Sequence, residues 1–165
     1  MRIAITGASG NGKTTLARRL AETCGLRHIE IDALHHGPNW ESCGPDVLRE
    51  RVLAATADDD WVTDSTYHRM LGSLVVDRAD TIVWLDLPAG LVLSRLIRRS
   101  YVRHRDRVEL WNGNVEPGLR EQVRHLIWPA LKTIFENRRA YPGLGYVRLR
   151  SDSDIDAFVR RMMSA

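Results

Sequence analysis

With 165 residues, 44% of them hydrophobic, the chain can fill one core of ordinary size. Residues 1–165 are expected to form a single domain with room for a lid but not for a second independent unit. Apolar runs fall far short of a bilayer span or a signal peptide, so a cytoplasmic protein without a membrane segment is expected. The net charge of +3 is mild, and Cys24 and Cys43 are too few for a disulfide framework or a zinc site.

In chain order, RIAIT (2–6) is a short apolar run closed by Gly7, and residues 14–24 carry apolar side chains at helical spacing up to Gly25. HIEI (28–31) reads as a second strand ending at Asp32, and a helix begins near Pro45 after a turn-rich segment. WVT (61–63) leads to Asp64 and a short helix, and TIVWLDL (81–87) has the continuous apolar character of a strand buried on both faces. A helix from Pro88, an irregular basic stretch over about 103–118 and a long helix over about 119–140 follow, with Pro129 expected to kink or split the last. YVRL (146–149) is the final strand, and the final helix starts with Ser151 or Ser153 as its N-cap. Five strands alternating with helices predict an α/β fold: a parallel sheet covered on both faces.

The segment Gly7-Ala8-Ser9-Gly10-Asn11-Gly12-Lys13-Thr14 matches G-x-x-x-x-G-K-[ST] and lies between a predicted strand and a predicted helix. Glycines let the loop curl so that backbone N–H groups point inward, where they and the helix N-terminus attract phosphate. Gly7, Ser9, Gly10, Asn11, Gly12, Lys13, Thr14 and Thr15 are therefore the candidate contacts to ATP. Lys13 is placed for the β and γ phosphates and the Thr14 hydroxyl for Mg²⁺. Lysine occurs only here and at Lys132 among 24 basic residues, which fits a position that requires a compact ammonium rather than a planar guanidinium.

Ligands of open α/β sheets bind beyond the carboxyl ends of the strands. Asp32 and Asp64 stand at two such ends, where one can hold Mg²⁺ through water (Asp64) and the other can orient or deprotonate an acceptor. A turn or helix-cap role is the competing reading for both, and for Asp86, before Pro88, capping is the expected job. Arg95, Arg98, Arg99, Arg103, Arg105 and Arg107 form a basic stretch that reads as a lid, a solvated helix end or a nucleic-acid patch. Arg95, Arg98 and Arg99 are expected on one helical face, and Arg99 and Arg103 are the candidate catalytic arginines. The adjacent His35 and His36 lack further ligands at metal-binding spacing, and most of the five tryptophans are expected in the core, with Trp40 and Trp111 in loops.

Gly7–Thr14, the block 32–40 (DALHHGPNW), the block 61–67 (WVTDSTY) and the block 79–88 (ADTIVWLDLP) together resemble the adenylate-kinase-like P-loop proteins of the FlaR (DNA topology modulation) type. The resemblance implies a P-loop NTPase fold of nucleoside-kinase type, with strand order 2-3-1-4-5 and a basic lid over about 99–118. Ser65-Thr66 stands where the family has Gly-Asn, and His36 where it has an aromatic residue. The expected activity is phosphoryl transfer from Mg-ATP to a nucleoside monophosphate or another small acceptor. Asp32, His36, Trp40, Tyr67 and Arg69 would lie on the acceptor side, Arg69 on acceptor phosphate. The alternative is an ATP-binding regulator that contacts DNA; 21 acids dispersed among 24 bases argue against an extended DNA-binding face.

Overall fold

The computed structural model describes residues 1–115, 127–141 and 145–164. Strands β1 (Arg2–Thr6), β2 (Arg27–Ile29), β3 (Trp61–Thr63), β4 (Thr81–Leu85) and β5 (Val147–Leu149) form one sheet in the order β2-β3-β1-β4-β5. Every pairing is parallel, and β1 lies at the centre, with Ile3 opposite both Val62 and Thr81. The helices are α1 (Lys13–Cys24), α2 (Ile31–His35), α3 (Pro45–Ala55), α4 (His68–Leu71), α5 (Leu74–Arg78), α6 (Ala89–Arg105), α7 (Trp128–Ala140) and α8 (Asp152–Met163). This is the parallel α/β sheet, in the strand order 2-3-1-4-5, that the sequence predicts.

Successive side chains of a strand point to opposite faces, and β1 buries both. Ile3 and Ile5 join Leu16 and Leu20 of α1, Val83 and Leu85 of β4, and Phe158 of α8 on one face. On the other face Ala4 meets Ile31, Leu48, Val52, Trp61, Leu71 and Val75. The α8 end is fixed by a capping box, in which the Ser151 hydroxyl accepts from the Asp154 N–H and Asp154 accepts from the Ser151 N–H.

Several expected boundaries shift. β2 stops at Ile29, and Ile31 opens α2 instead of ending a strand. A short apolar run cannot be told from a buried helical turn by periodicity, and Ile31 reaches the core from the helix. α6 continues to Arg105, so Arg103 and Arg105 are helical rather than irregular. Pro129 is the second residue of α7, directly after Trp128, with Ile127 before it already in helical backbone conformation; residues 119–126 of the expected long helix lie outside the described residues, as do 116–118 of the expected lid. Trp128 is 72% exposed, in contrast to the core position expected for most tryptophans.

Asp86 is not a helix cap. α6 is capped at Pro88 with no side-chain bond, and the buried Asp86 carboxylate instead accepts from Arg138 Nε at 2.7 Å and Arg148 Nε at 3.0 Å. The Arg148 guanidinium also lies over the Trp84 ring, 4.4 Å from its centroid. These contacts tie β4, β5 and α7 together.

Candidate active site

The loop between β1 and α1 is shaped by backbone crowding. A Cβ on Gly10 would stand 2.7 Å from the Val92 carbonyl oxygen, with φ at +88°, and one on Gly7 would stand 2.7 Å from that of Leu85. The loop is thus pressed against the ends of β4 and α6, which is possible only without side chains at these points. Gly10→Ala is expected to cost about 1–3 kcal/mol through positive-φ strain and this clash, measured by chemical denaturation, and to weaken nucleotide binding.

α1 begins at Lys13, so its first-turn N–H groups face the loop opening. Lys13 Nζ donates to the Ala8 carbonyl at 3.1 Å, spanning the loop. Burial pushes its ammonium down from the usual lysine value; the charges of Asp32 and Asp64 oppose that shift and Arg99 adds to it.

Thr14 Oγ1 donates to Asp64 Oδ2 at 2.7 Å, and His28 Nε2 lies 3.7 Å from the same oxygen. Burial alone would raise the Asp64 pKa, but the nearby His28 imidazole, the Thr14 hydrogen bond and the Lys13 charge outweigh it and hold the carboxyl below its ordinary value. A depressed folded pKa means that ionised Asp64 stabilises the fold at neutral pH, a contribution lost as pH falls through that pKa. Asp64 Oδ1 is buried and has no hydrogen-bond partner among the described residues. A buried, ionised oxygen without a partner beside the Thr14 hydroxyl fits a Mg²⁺ site of the kind completed by phosphate oxygens and water. No cluster of three or more His, Cys, Asp or Glu side chains able to hold a metal occurs among the described residues.

Elsewhere on the cleft wall, Tyr67 donates its hydroxyl to Asp32 Oδ1 at 2.6 Å. Burial first, then the charge and hydrogen bond of Asp32, push the Tyr67 phenol above its usual value, so it remains a donor. Asp32, His36, Trp40 and Tyr67 all line the cleft. Arg69 does not: its exposed guanidinium donates to Glu136 at 3.2 Å, because the short α4 carries it outward. That placement removes the observation on which its expected contact to acceptor phosphate would rest.

Loop 109–115 closes over this wall. Asn114, 3% exposed, donates to the carbonyl of Gly37 at 2.9 Å and accepts from Trp40 N at 2.8 Å, while Trp111 Nε1 donates to Glu30 Oε2 at 2.5 Å. Trp40 Nε1 donates to the Val115 carbonyl at 3.0 Å. Arg95, Arg99 and Arg103, at i, i+4 and i+8 of α6, line the cleft, whereas Arg98 is exposed and does not share their face. Arg95 also pairs with Asp152 at 2.9 Å. The cleft, about 1970 Å³, runs from Asp152 and Ile155 past the loop to Trp40 and Trp111. A single ligand pocket typically measures about 300–1,000 Å³.

Sequence reading missed His28, Glu30, Arg95 as a cleft residue, and Asn114. His28 meets Asp64 through the β2–β3 register, where it stands opposite Val62 two residues before Asp64, and no local motif encodes that. Both cysteines are free, as expected, and His35 is buried against Tyr67 rather than in the cleft.

No family model matches the chain. It is 27% identical over 116 residues to the cytidylate kinase of Natronomonas pharaonis, covering 61% of this chain and 59% of that one. To the cytidylate kinase of Pyrococcus horikoshii it is 26% identical over 113 residues, covering 59% and 57%. The chain thus spans less than three fifths of the length of these curated relatives. Among solved structures, a shikimate kinase from Acinetobacter baumannii in complex with shikimate superposes with a TM-score of 0.62 at 17% identity, over 99% of this chain and 90% of that one. A gluconokinase from Sinorhizobium meliloti gives 0.57 at 19% identity, over 99% and 89%. A deoxyadenosine kinase from M. mycoides with bound dCTP gives 0.56 at 12% identity, over the whole of both chains. The chain therefore has the fold of the P-loop kinases, and its recognisable sequence likeness is to nucleotide kinases.

Proposed function

We propose that this chain is an ATP-dependent phosphotransferase that passes the γ-phosphoryl group of Mg-ATP to a small acceptor held beside Asp32. The observation that supports it best is the pairing of Thr14 with a buried, ionised Asp64 that keeps one oxygen without a partner, near Lys13, with Asp32 lining the same cleft. Bound Mg²⁺ would neutralise phosphate charge, with Thr14 as a direct ligand and Asp64 acting through water. Lys13 binds phosphate oxygens, Arg99 and Arg103 meet the charge that develops in transfer, and Asp32 orients the acceptor. The curated relatives are named for a nucleoside monophosphate substrate, so cytidylate is the first acceptor to assay.

The test is labelled phosphate transfer from Mg-ATP across nucleoside monophosphates, nucleosides and polyols, read against ATP alone. Asp64→Asn keeps size and removes charge, and is expected to lower turnover by a factor of about 10² or more, with ATP affinity nearly unchanged. Wild-type turnover in that variant would reduce Asp64 to a structural residue. The regulator that contacts DNA, raised by the FlaR-type resemblance, has weaker support because Arg95, Arg99 and Arg103 line the cleft rather than an outer face.

A further inference from the structure

Residues 36–42 and 109–115 fold into the same turn twice. In the first, His36 pairs with Ser42 in a single antiparallel bridge and the Gly37 N–H donates to the Glu41 carbonyl at 2.7 Å. In the second, Glu109 pairs with Val115 in the same way and the Leu110 N–H donates to the Asn114 carbonyl at 2.7 Å. Each turn holds an asparagine in the left-handed region at its tip, Asn39 and Asn112, both with φ at 57°. Asparagine enters that region more readily than other residues with a side chain.

Asn114 joins the two turns. Its amide spends its N–H groups on the carbonyls of Gly37 at 2.9 Å and Trp111 at 2.8 Å, and its oxygen accepts from the Trp40 N–H at 2.8 Å. Asn112 adds a bond to the His36 carbonyl, and Trp40 Nε1 one to the Val115 carbonyl. A buried amide with donors and acceptor all matched specifies one arrangement of the segments it bridges. That arrangement spans the cleft. The second turn starts a few residues beyond α6, and the Val108 N–H donates to the Arg103 carbonyl at 3.0 Å, which holds its entry on the last turn of the helix that carries Arg95, Arg99 and Arg103. The first turn supplies His36 and Trp40 to the cleft wall.

Resting on the reading of the chain as a phosphotransferase, we infer that Asn114 is a positioning residue: it makes the two turns one body, so that a nucleotide engaging the α6 arginines also fixes His36 and Trp40 for the acceptor. The nucleotide does not have to touch residues 36–42 for this, because the joint carries the effect. By linkage, an acceptor ordered against Trp40 tightens nucleotide binding by the same factor. With the joint cut, each turn opens on its own and the wall at His36 and Trp40 no longer responds to what α6 holds.

The experiment is hydrogen exchange, read by mass spectrometry on the full chain with and without Mg²⁺ and the non-hydrolysable analogue AMPPNP. In the ligand-free chain Asn114→Ala should speed exchange of residues 36–42 by about tenfold or more, although Trp40 lies 74 positions away in sequence. Peptides from β1 and α1 should exchange as in wild type. AMPPNP should slow exchange across 36–42 in wild type; the variant should bind the analogue with nearly unchanged affinity yet lose that slowing. A direct contact between nucleotide and the first turn would survive the substitution, and a merely local loosening would leave the response to AMPPNP in place. Asn112→Gly keeps the left-handed turn and removes only the bond to His36, so it should give a smaller change of the same kind, and it carries the test if Asn114→Ala does not fold. The inference is overturned if the ligand-free variants exchange at 36–42 as wild type does, or if bound AMPPNP slows that segment equally in wild type and variant, or in neither. A chain that binds no AMPPNP fails the phosphotransferase reading instead, and the ligand-free comparison still decides whether the two turns move as one.

Discussion

Lys13→Ala is expected to remove nearly all of the stabilisation that Mg-ATP gives the fold. At about a hundred times its dissociation constant a ligand stabilises by about 2.7 kcal/mol, which for a chain of this size is a rise in melting temperature of about 5–11 °C. Scanning fluorimetry with and without millimolar Mg-ATP reads it directly. Turnover should fall by about 10³, the upper end of what one transition-state cation or donor contributes. The apo variant should melt no lower than wild type by more than a degree or two, because the ammonium lost is a buried one whose pKa is already driven down by burial. Lys13→Arg should fail as well, since a planar guanidinium does not fit the span that Lys13 bridges to Ala8. A wild-type melting temperature indifferent to Mg-ATP would refute the nucleotide site itself.

Asp86→Ala should produce the largest loss of stability. It removes the acceptor shared by Arg138 and Arg148, whose side chains are 38% and 39% exposed against 4% for Asp86. Removing one partner of a buried pair costs about 3–5 kcal/mol. The lower figure applies here, because two partly exposed guanidinium groups can turn toward water. A loss of about 3 kcal/mol corresponds to a fall of about 6–12 °C in melting temperature. Nucleotide affinity per folded molecule should change little, as neither arginine lines the large cleft. Melting within two degrees of wild type would show that the tie between β4, β5 and α7 is energetically idle.

The phosphate loop was legible in the sequence because its signal is local: glycines at fixed spacing, then lysine and threonine, with a strand before and a helix after. The capping of α8 was legible for the same reason, since Ser151 and Asp154 lie within one turn. The cleft contains both Asp32 and Asp64, but only Asp64 follows a strand as the strand-end rule expected; β2 stops at Ile29, and Asp32 reaches the cleft from the first turn of α2. Spacing alone could not give the arginine face: Arg95, Arg99 and Arg103 align only because α6 runs on to Arg105, beyond the point where its apolar periodicity fades. The sheet register that sets His28 against Asp64 joins residues far apart in the chain, and so do the Asn114 bonds and the Asp86 tie. Arg69, expected on the acceptor side from its nearness to a motif, is instead exposed on a four-residue helix and paired with Glu136, outside the cleft lining.

The central place of β1 has a consequence for the newborn chain. Its partners in β3 and β4 lie roughly sixty and eighty residues downstream, so the middle of the sheet closes only after a long loop has been drawn together. The phosphate loop follows β1 directly, yet its curl is moulded against Leu85 and Val92. A ribosome-bound fragment ending before β4 carries the entire glycine-lysine-threonine motif with nothing to fold it against. On the proposed function, nucleotide recognition would be acquired late in synthesis, together with sheet closure, and ATP in the surrounding solution would stabilise only those chains that have already brought β4 and the start of α6 into place.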